Sequence, residues 1–249
     1  MVAELEQSAA AVPVMEAREV TAGYGKQPII FEVSAAFGRG SVTSILGPNG
    51  AGKSTFLKSL FGLARTFSGA VLIEGQTVAT DAQDLVARGV CYVPQLGNIF
   101  PSLSVRENLD VGTYVRKGRT MESVLEVFTD LKPVLKKRAG KLSGGQRNML
   151  GVARALMSNP KVLLLDEATG GLAPLVARRL WEHVAALSKE GVAVVAVEQN
   201  VSLALEFSDS VYVLVSGRNS FAGTPAELNQ SADVEHLFLG ASGTLIDGA

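Results

Sequence analysis

The chain has 249 residues, 47% hydrophobic and 19% charged, enough for one large domain with a sizeable buried core. Its 23 Lys and Arg against 24 Asp and Glu leave a net charge of −1, so no overall basic field exists to hold nucleic acid or an anionic membrane surface at long range. A single cysteine, Cys91, excludes an internal disulfide and fits a reducing, cytosolic compartment.

Residues 1–13 are Ala-rich and aperiodic and are read as a flexible extension ahead of one domain, 14–240, and a tail, 241–249. Glu4 and Glu6 stand where a secretory leader would be basic, and no apolar run approaches the roughly 20 residues that cross a bilayer. Any membrane association is therefore expected to run through a partner. The β-rich segments "MEAREVTAGYG", "IIFEVSAAFG" and "SVTSILG", separated by Gly and charged turns, predict a mixed sheet near the N-terminus. Phe56, Leu57, Leu60 and Leu63 in "KSTFLKSLFGLA" recur at helical spacing, and "SGAVLIEG" predicts a short strand. Alternating strands and helices favour an α/β fold.

From 97 to 159 helical patterns follow one another, in "SVRENLDVGTYV", "MESVLEVFTDL" and "QRNMLGVARALM", which predicts a helical insertion between core segments 14–96 and 160–240. The near-continuous apolar runs in "KVLLLDEA" and "GVAVVAVEQ" suit parallel strands buried on both faces, with a helix in "APLVARRLWEHVAALSKE" between them. "DSVYVLVSG" adds a strand, and "TPAELNQSADVEHLFLG" predicts short helices. His183 and His236 are read as surface or packing residues.

Three stretches carry chemistry. "GPNGAGKST", formed by Gly47, Pro48, Asn49, Gly50, Ala51, Gly52, Lys53, Ser54 and Thr55, matches the phosphate-loop pattern between a strand and a helix. Its glycines let backbone N–H groups turn inward, and the helix start adds a partial positive charge. Lys53 is expected to reach the β- and γ-phosphates of a bound nucleotide and Ser54 to ligate Mg²⁺. "VLLLDE" ends an apolar strand in two acids, which is costly unless they face a site. Asp166 suits the Mg²⁺ shell and Glu167 a general base for water. "LSGGQ", made by Leu142, Ser143, Gly144, Gly145 and Gln146, opens a second helix and offers a hydroxyl and free N–H groups to an anion.

These three motifs, in that order, resemble the ATP-binding subunit of ABC transporters over roughly residues 15–240. The resemblance implies an α/β P-loop NTPase (RecA-like) core with an N-terminal antiparallel β subdomain and an inserted α-helical subdomain. It further implies composite sites, in which the "LSGGQ" of a second ABC ATPase subunit, identical or homologous, completes the nucleotide site. Integral-membrane permease subunits would place the chain at the cytoplasmic face of the cell membrane, with an extracytoplasmic binding protein as an indirect partner and no nucleic acid.

Residue by residue, Tyr24 matches the family's adenine-stacking aromatic. Gln95 in "YVPQ" matches the glutamine that senses Mg²⁺ and the γ-phosphate, and "LGNIFPSLSVRENL" after it resembles the permease-docking surface. Two positions depart from the pattern: Gln199 stands where the family's switch histidine belongs, and Ala173 where many members carry aspartate. Gln199 can donate an N–H to a phosphate oxygen but cannot become cationic. Both departures, with "GLAP" and "VEQN", resemble the LivF-like ATPases of branched-chain amino-acid importers. Related ATPases for urea or short-chain amides, and soluble ABC ATPases outside transport, stay open as alternatives. A small-molecule kinase would share the phosphate loop but not "LSGGQ".

Overall fold

The computed structural model describes residues 12–114 and 118–230. Most of the 1–13 extension, the 241–249 tail, His236 and the end of the helical pattern after residue 230 fall outside the described residues. Two sheets organise the rest. Strands β1 (Met15–Tyr24), β2 (Gln27–Phe37), β4 (Arg65–Ile73) and β5 (Gln76–Val78) form an antiparallel sheet in the order β2-β1-β4-β5. The second holds β3 (Val42–Leu46), β6 (Val90–Val93), β7 (Val162–Asp166), β8 (Ala193–Val197), β9 (Ser210–Val215) and β10 (Arg218–Gly223). Its order is β10-β9-β3-β8-β7-β6, with every pairing parallel except the β10 edge.

This arrangement corrects the expectation of one mixed N-terminal sheet. "SVTSIL" leaves the first two strands and inserts between β8 and β9, with all five residues of β3 buried. A strand covered on both faces has no polar face to alternate, so its apolar run belongs to a parallel sheet. Side-chain alternation then divides the interior in two. Leu163, Leu165, Val194 and Ala196 point into a core shared with helices α5 (Gly144–Leu156) and α6 (Pro174–Lys189). Leu164, Val195 and Val197 point the other way, onto helix α1 (Lys53–Leu60) and the antiparallel sheet. Burying a side chain of this size stabilises by about 1.5–3 kcal/mol, so β7 and β8 are the anchored centre from which the site projects.

The helix begun at Lys53 is shorter than its apolar spacing predicted. Gly62, at φ 75°, lies where a Cβ would meet the Thr80 carbonyl oxygen at 2.3 Å. Its left-handed turn directs the Leu63 N–H to the Lys58 carbonyl (2.8 Å) and the Gly62 N–H to the Ser59 carbonyl (3.2 Å), a Schellman end that stops the helix. Leu63 is consequently outside the helix and 50% exposed.

Between β6 and β7 lie α3 (Val105–Val111), α4 (Met121–Val127), two 3-10 turns (Thr129–Val134 and Ala139–Lys141) and α5. The pattern in "MESVLEVFTDL" tightens to 3-10 after Val127, just ahead of Pro133, which cannot donate to an α ladder. Short helices α2 (Ala82–Ala87), α7 (Val201–Phe207) and α8 (Pro225–Gln230) complete the described fold. No helix among the described residues is long and apolar enough to cross a membrane.

Candidate functional site

The first cluster of candidate residues gathers at the carboxyl ends of parallel strands, the side where open α/β sheets bind ligands. The phosphate loop follows β3, Gln95 follows β6, Asp166 and Glu167 close β7, and Gln199 follows β8. Residues 49–55 line a cavity of about 220 Å³ together with Ile29 and Glu167. Gly47 is obligatory on space alone: at φ 142°, a Cβ would meet the Leu214 carbonyl oxygen at 2.1 Å.

Lys53 opens α1 and is buried, with its Nζ donating to the carbonyls of Gly47 (2.8 Å) and Pro48 (2.9 Å). The ammonium thus rests on the loop's own backbone. Desolvation lowers its pKa, against the opposing pull of Glu167 and Asp166. Ser54 Oγ donates to Asp166 Oδ1 at 2.7 Å, and the Tyr92 hydroxyl donates to Asp166 Oδ2 at 2.8 Å. Burial, helped by that carboxylate, pushes the Tyr92 phenol above its ordinary range, so it stays a donor.

Glu167 has a different environment. Its Oε2 accepts from Gln95 Nε2 at 2.5 Å and from Gln199 Nε2 at 2.8 Å. Two amides from separate strand ends therefore converge on one carboxylate oxygen. The backbone of Glu167 is left-handed, φ 49°, a conformation that costs a non-glycine residue about 1–3 kcal/mol and persists where surroundings over-determine it. Its N–H is held by the Val197 carbonyl at 2.9 Å. Tyr24 ends β1 and is 48% exposed, free to offer a ring face.

Leu142 to Gln146 are not part of this cluster. Ser143 caps α5: its Oγ accepts the Gln146 N–H (3.2 Å), and Gln146 Oε1 accepts the Ser143 N–H (3.2 Å). Gly144 is open, whereas a Cβ on Gly145 would meet Val176 Cγ1 at 2.6 Å. Residues 143–146 line a second cavity of about 410 Å³ with Gly171, Ala173 and Arg179, sharing no lining residue with the phosphate-loop cavity. Ala173 is the N-cap of α6 and supplies no side-chain cap.

Sequence reasoning missed several supporting side chains. Tyr92 lies three residues before Gln95, but nothing in "CYVPQ" announces a bond to Asp166. Asn148, one turn into α5, donates Nδ2 to the Ala168 carbonyl at 2.6 Å, and Asn98 donates to Asn148 at 3.3 Å. Glu198 is buried beside the site and accepts from Thr169. His183 behaves as expected for packing, its ring 4.9 Å from that of Phe128.

Comparison with known proteins agrees with this geometry. The ABC transporter family profile matches residues 30–170. A probable branched-chain amino acid transport ATP-binding protein LivF of Archaeoglobus fulgidus is 40% identical over 228 residues, covering 89% of this chain and 97% of that protein. The high-affinity branched-chain amino acid transport ATP-binding protein BraG of Pseudomonas aeruginosa is 38% identical over 227 residues, with the same coverages. A crystal structure of the ADP conformation of an ATP-binding cassette of an ABC transporter superposes with a TM-score of 0.80 at 26% identity, covering 91% of this chain and 98% of that one. On the profile match over residues 30–170 and the likeness to these relatives along most of its length, the chain belongs to the ABC transporter family and is one of its ATPases.

Proposed function

We propose that this chain is the ATP-hydrolysing subunit of a membrane importer for branched-chain or other hydrophobic amino acids. The observation that carries the chemistry is the Glu167 carboxylate, held by two amides beside the phosphate-loop cavity. The cargo assignment rests on the likeness to LivF and BraG.

In this reading the phosphates of ATP lie along the N–H groups of residues 47–55, with the Lys53 ammonium turning from the loop carbonyls to the anion. Tyr24 stacks on adenine. Glu167 accepts the proton that the attacking water loses, while Gln95 and Gln199 orient its carboxylate and offer N–H donors toward the γ-phosphate. The residues present fit Mg²⁺. Ser54 Oγ and Asp166 Oδ1 lie 2.7 Å apart, and the described residues hold no cluster of three or more His, Cys, Asp or Glu that would suit an all-protein cage. Such a sparse set of hard oxygen donors matches an ion that keeps waters and phosphate oxygens, with Gln95 nearby. Bound there, Mg²⁺ would neutralise phosphate charge.

In this reading the site is incomplete in one chain, and the signature residues, which line a separate cavity, serve the site of another. A second ABC ATPase subunit supplies its Leu142–Gln146 or their counterparts, and permease subunits hold the pair at the cytoplasmic face of the membrane. The test is to recover the chain from native membranes and identify what accompanies it. Two integral-membrane subunits and ATPase activity stimulated by an amino-acid-loaded binding protein are expected; activity stimulated only by nucleic acid would sink the proposal.

A further inference from the structure

Three charged side chains are buried among the described residues: Lys53, Asp166 and Glu198. The first two have places in the proposed chemistry, and Glu198 has none. It follows β8 directly and is 3% exposed. Its Oε1 accepts the Thr169 N–H at 3.2 Å, and its Oε2 accepts the Thr169 hydroxyl at 2.7 Å.

We infer that Glu198 is a positioning residue for Glu167, its carboxylate tying the turn after Glu167 to the strand end that carries Gln199. The inference rests on the ATPase reading of Glu167. Thr169 lies two residues beyond Glu167, and Gln199 is the residue whose Nε2 touches the Glu167 carboxylate at 2.8 Å. Glu198 therefore ties, through one side chain, the turn that follows Glu167 to the strand end on which the next residue, Gln199, reaches the Glu167 carboxylate.

Two further observations support a positional role over simple satisfaction of buried donors. The turn begins at a left-handed non-glycine residue, φ 49°, which must be held from outside; its own closure, the Gly170 N–H to the Glu167 carbonyl at 3.1 Å, is one bond. Burying an ionisable carboxyl is also an expensive way to accept two hydrogen bonds, since desolvation pushes its pKa up to about 7, with the Glu167 charge adding to the rise. When ionised, the carboxylate offers what an amide cannot, acceptance at both oxygens without a competing donor.

The test compares kcat and KM for ATP in the wild-type chain and its variants, each recovered with its membrane subunits. Glu198→Leu, close in size but without acceptors, is expected to lower kcat by about ten- to a hundredfold, the scale of a misplaced catalytic group. KM is expected to stay within about twofold, as for an interaction felt in the transition state. Thr169→Val gives a smaller drop in the same direction and costs nothing further in the Glu198→Leu background. Glu198→Gln, which keeps one oxygen for Thr169, recovers part of the loss. A wild-type kcat in the Leu variant, a KM that rises in step with the lost kcat, or losses that multiply in the double variant would each overturn the inference. If the Leu variant does not fold, Thr169→Val and Glu198→Gln read the same contact, and two wild-type kcat values overturn it. A wild-type complex that fails to hydrolyse ATP overturns the ATPase reading itself, a separate result.

Discussion

The phosphate-loop cluster and the signature segment are built on opposite principles. Around the phosphate loop, charged and polar side chains do the binding: Lys53 to backbone carbonyls of the loop, Ser54 and Tyr92 to Asp166, Gln95 and Gln199 to Glu167. Around the signature segment the working groups are backbone N–H donors at a helix start, with Ser143 engaged in its cap and Gly145 packed on Val176. The first half holds a proton acceptor and can do chemistry. The second offers N–H donors and shape, and it faces its own cavity. Under the proposed function, chemistry and its licensing would be carried by different parts of the surface, and a second subunit could control hydrolysis without supplying a catalytic base.

That division is tested most severely by Glu167→Gln. The amide cannot accept a proton, so hydrolysis is expected to fall by about 10²- to 10⁴-fold while ATP affinity is retained. Turnover near wild type, measured by phosphate release, would show that the base lies elsewhere. Next in size is Gly145→Ala on the other half. The added methyl meets Val176 at 2.6 Å and displaces the helix start. Hydrolysis is expected to drop by about tenfold or more through lost positioning, yet ATP binding to the isolated chain should be unchanged, because no phosphate-loop contact is touched. Loss of nucleotide affinity in equilibrium binding would break the separation of the halves.

A smaller effect is expected at Gln199. Glu167 keeps Gln95 when Gln199→Ala removes one of its two amides, so hydrolysis should slow by about tenfold, the scale of one hydrogen bond to a charged group. Gln199→His restores an N–H donor and should return most of the activity; an Ala variant as fast as wild type would make the position structural. Gln199 also marks the boundary of what the residues reveal unaided. The buried strands, the phosphate loop and the acidic strand end are local patterns, and each is visible in a window of about ten residues. Tyr92, Asn148, Thr169 and Glu198 are not, because their partners lie 74, 20, 29 and 29 residues away and ordinary polar side chains announce no such pairing. The path of "SVTSIL" into the second sheet was hidden for the same reason: strand pairing across more than 150 residues leaves no local trace.

Glu198 supplies the mildest and most discriminating test. Its carboxyl titrates near the ordinary value of 4.5 in the unfolded chain and is pushed up to about 7 in the fold by desolvation. Between those values the folded state binds more protons, so raising the pH favours unfolding. The stability this group contributes is fully present below about 4.5 and is lost as pH rises through about 7. Glu198→Gln cannot titrate, so its stability relative to wild type should rise between pH 4.5 and pH 8 by about 1–3 kcal/mol. The exposed carboxylates whose pKa values are lowered, among them Glu74 and Glu107, are common to both chains and cancel in the difference. Denaturant midpoints at pH 5 and pH 8 measure it, and parallel pH profiles would contradict the raised pKa. A variant that gains stability at pH 8 while losing turnover would show that the buried carboxylate is retained to aim Glu167, at a cost the fold as a whole absorbs.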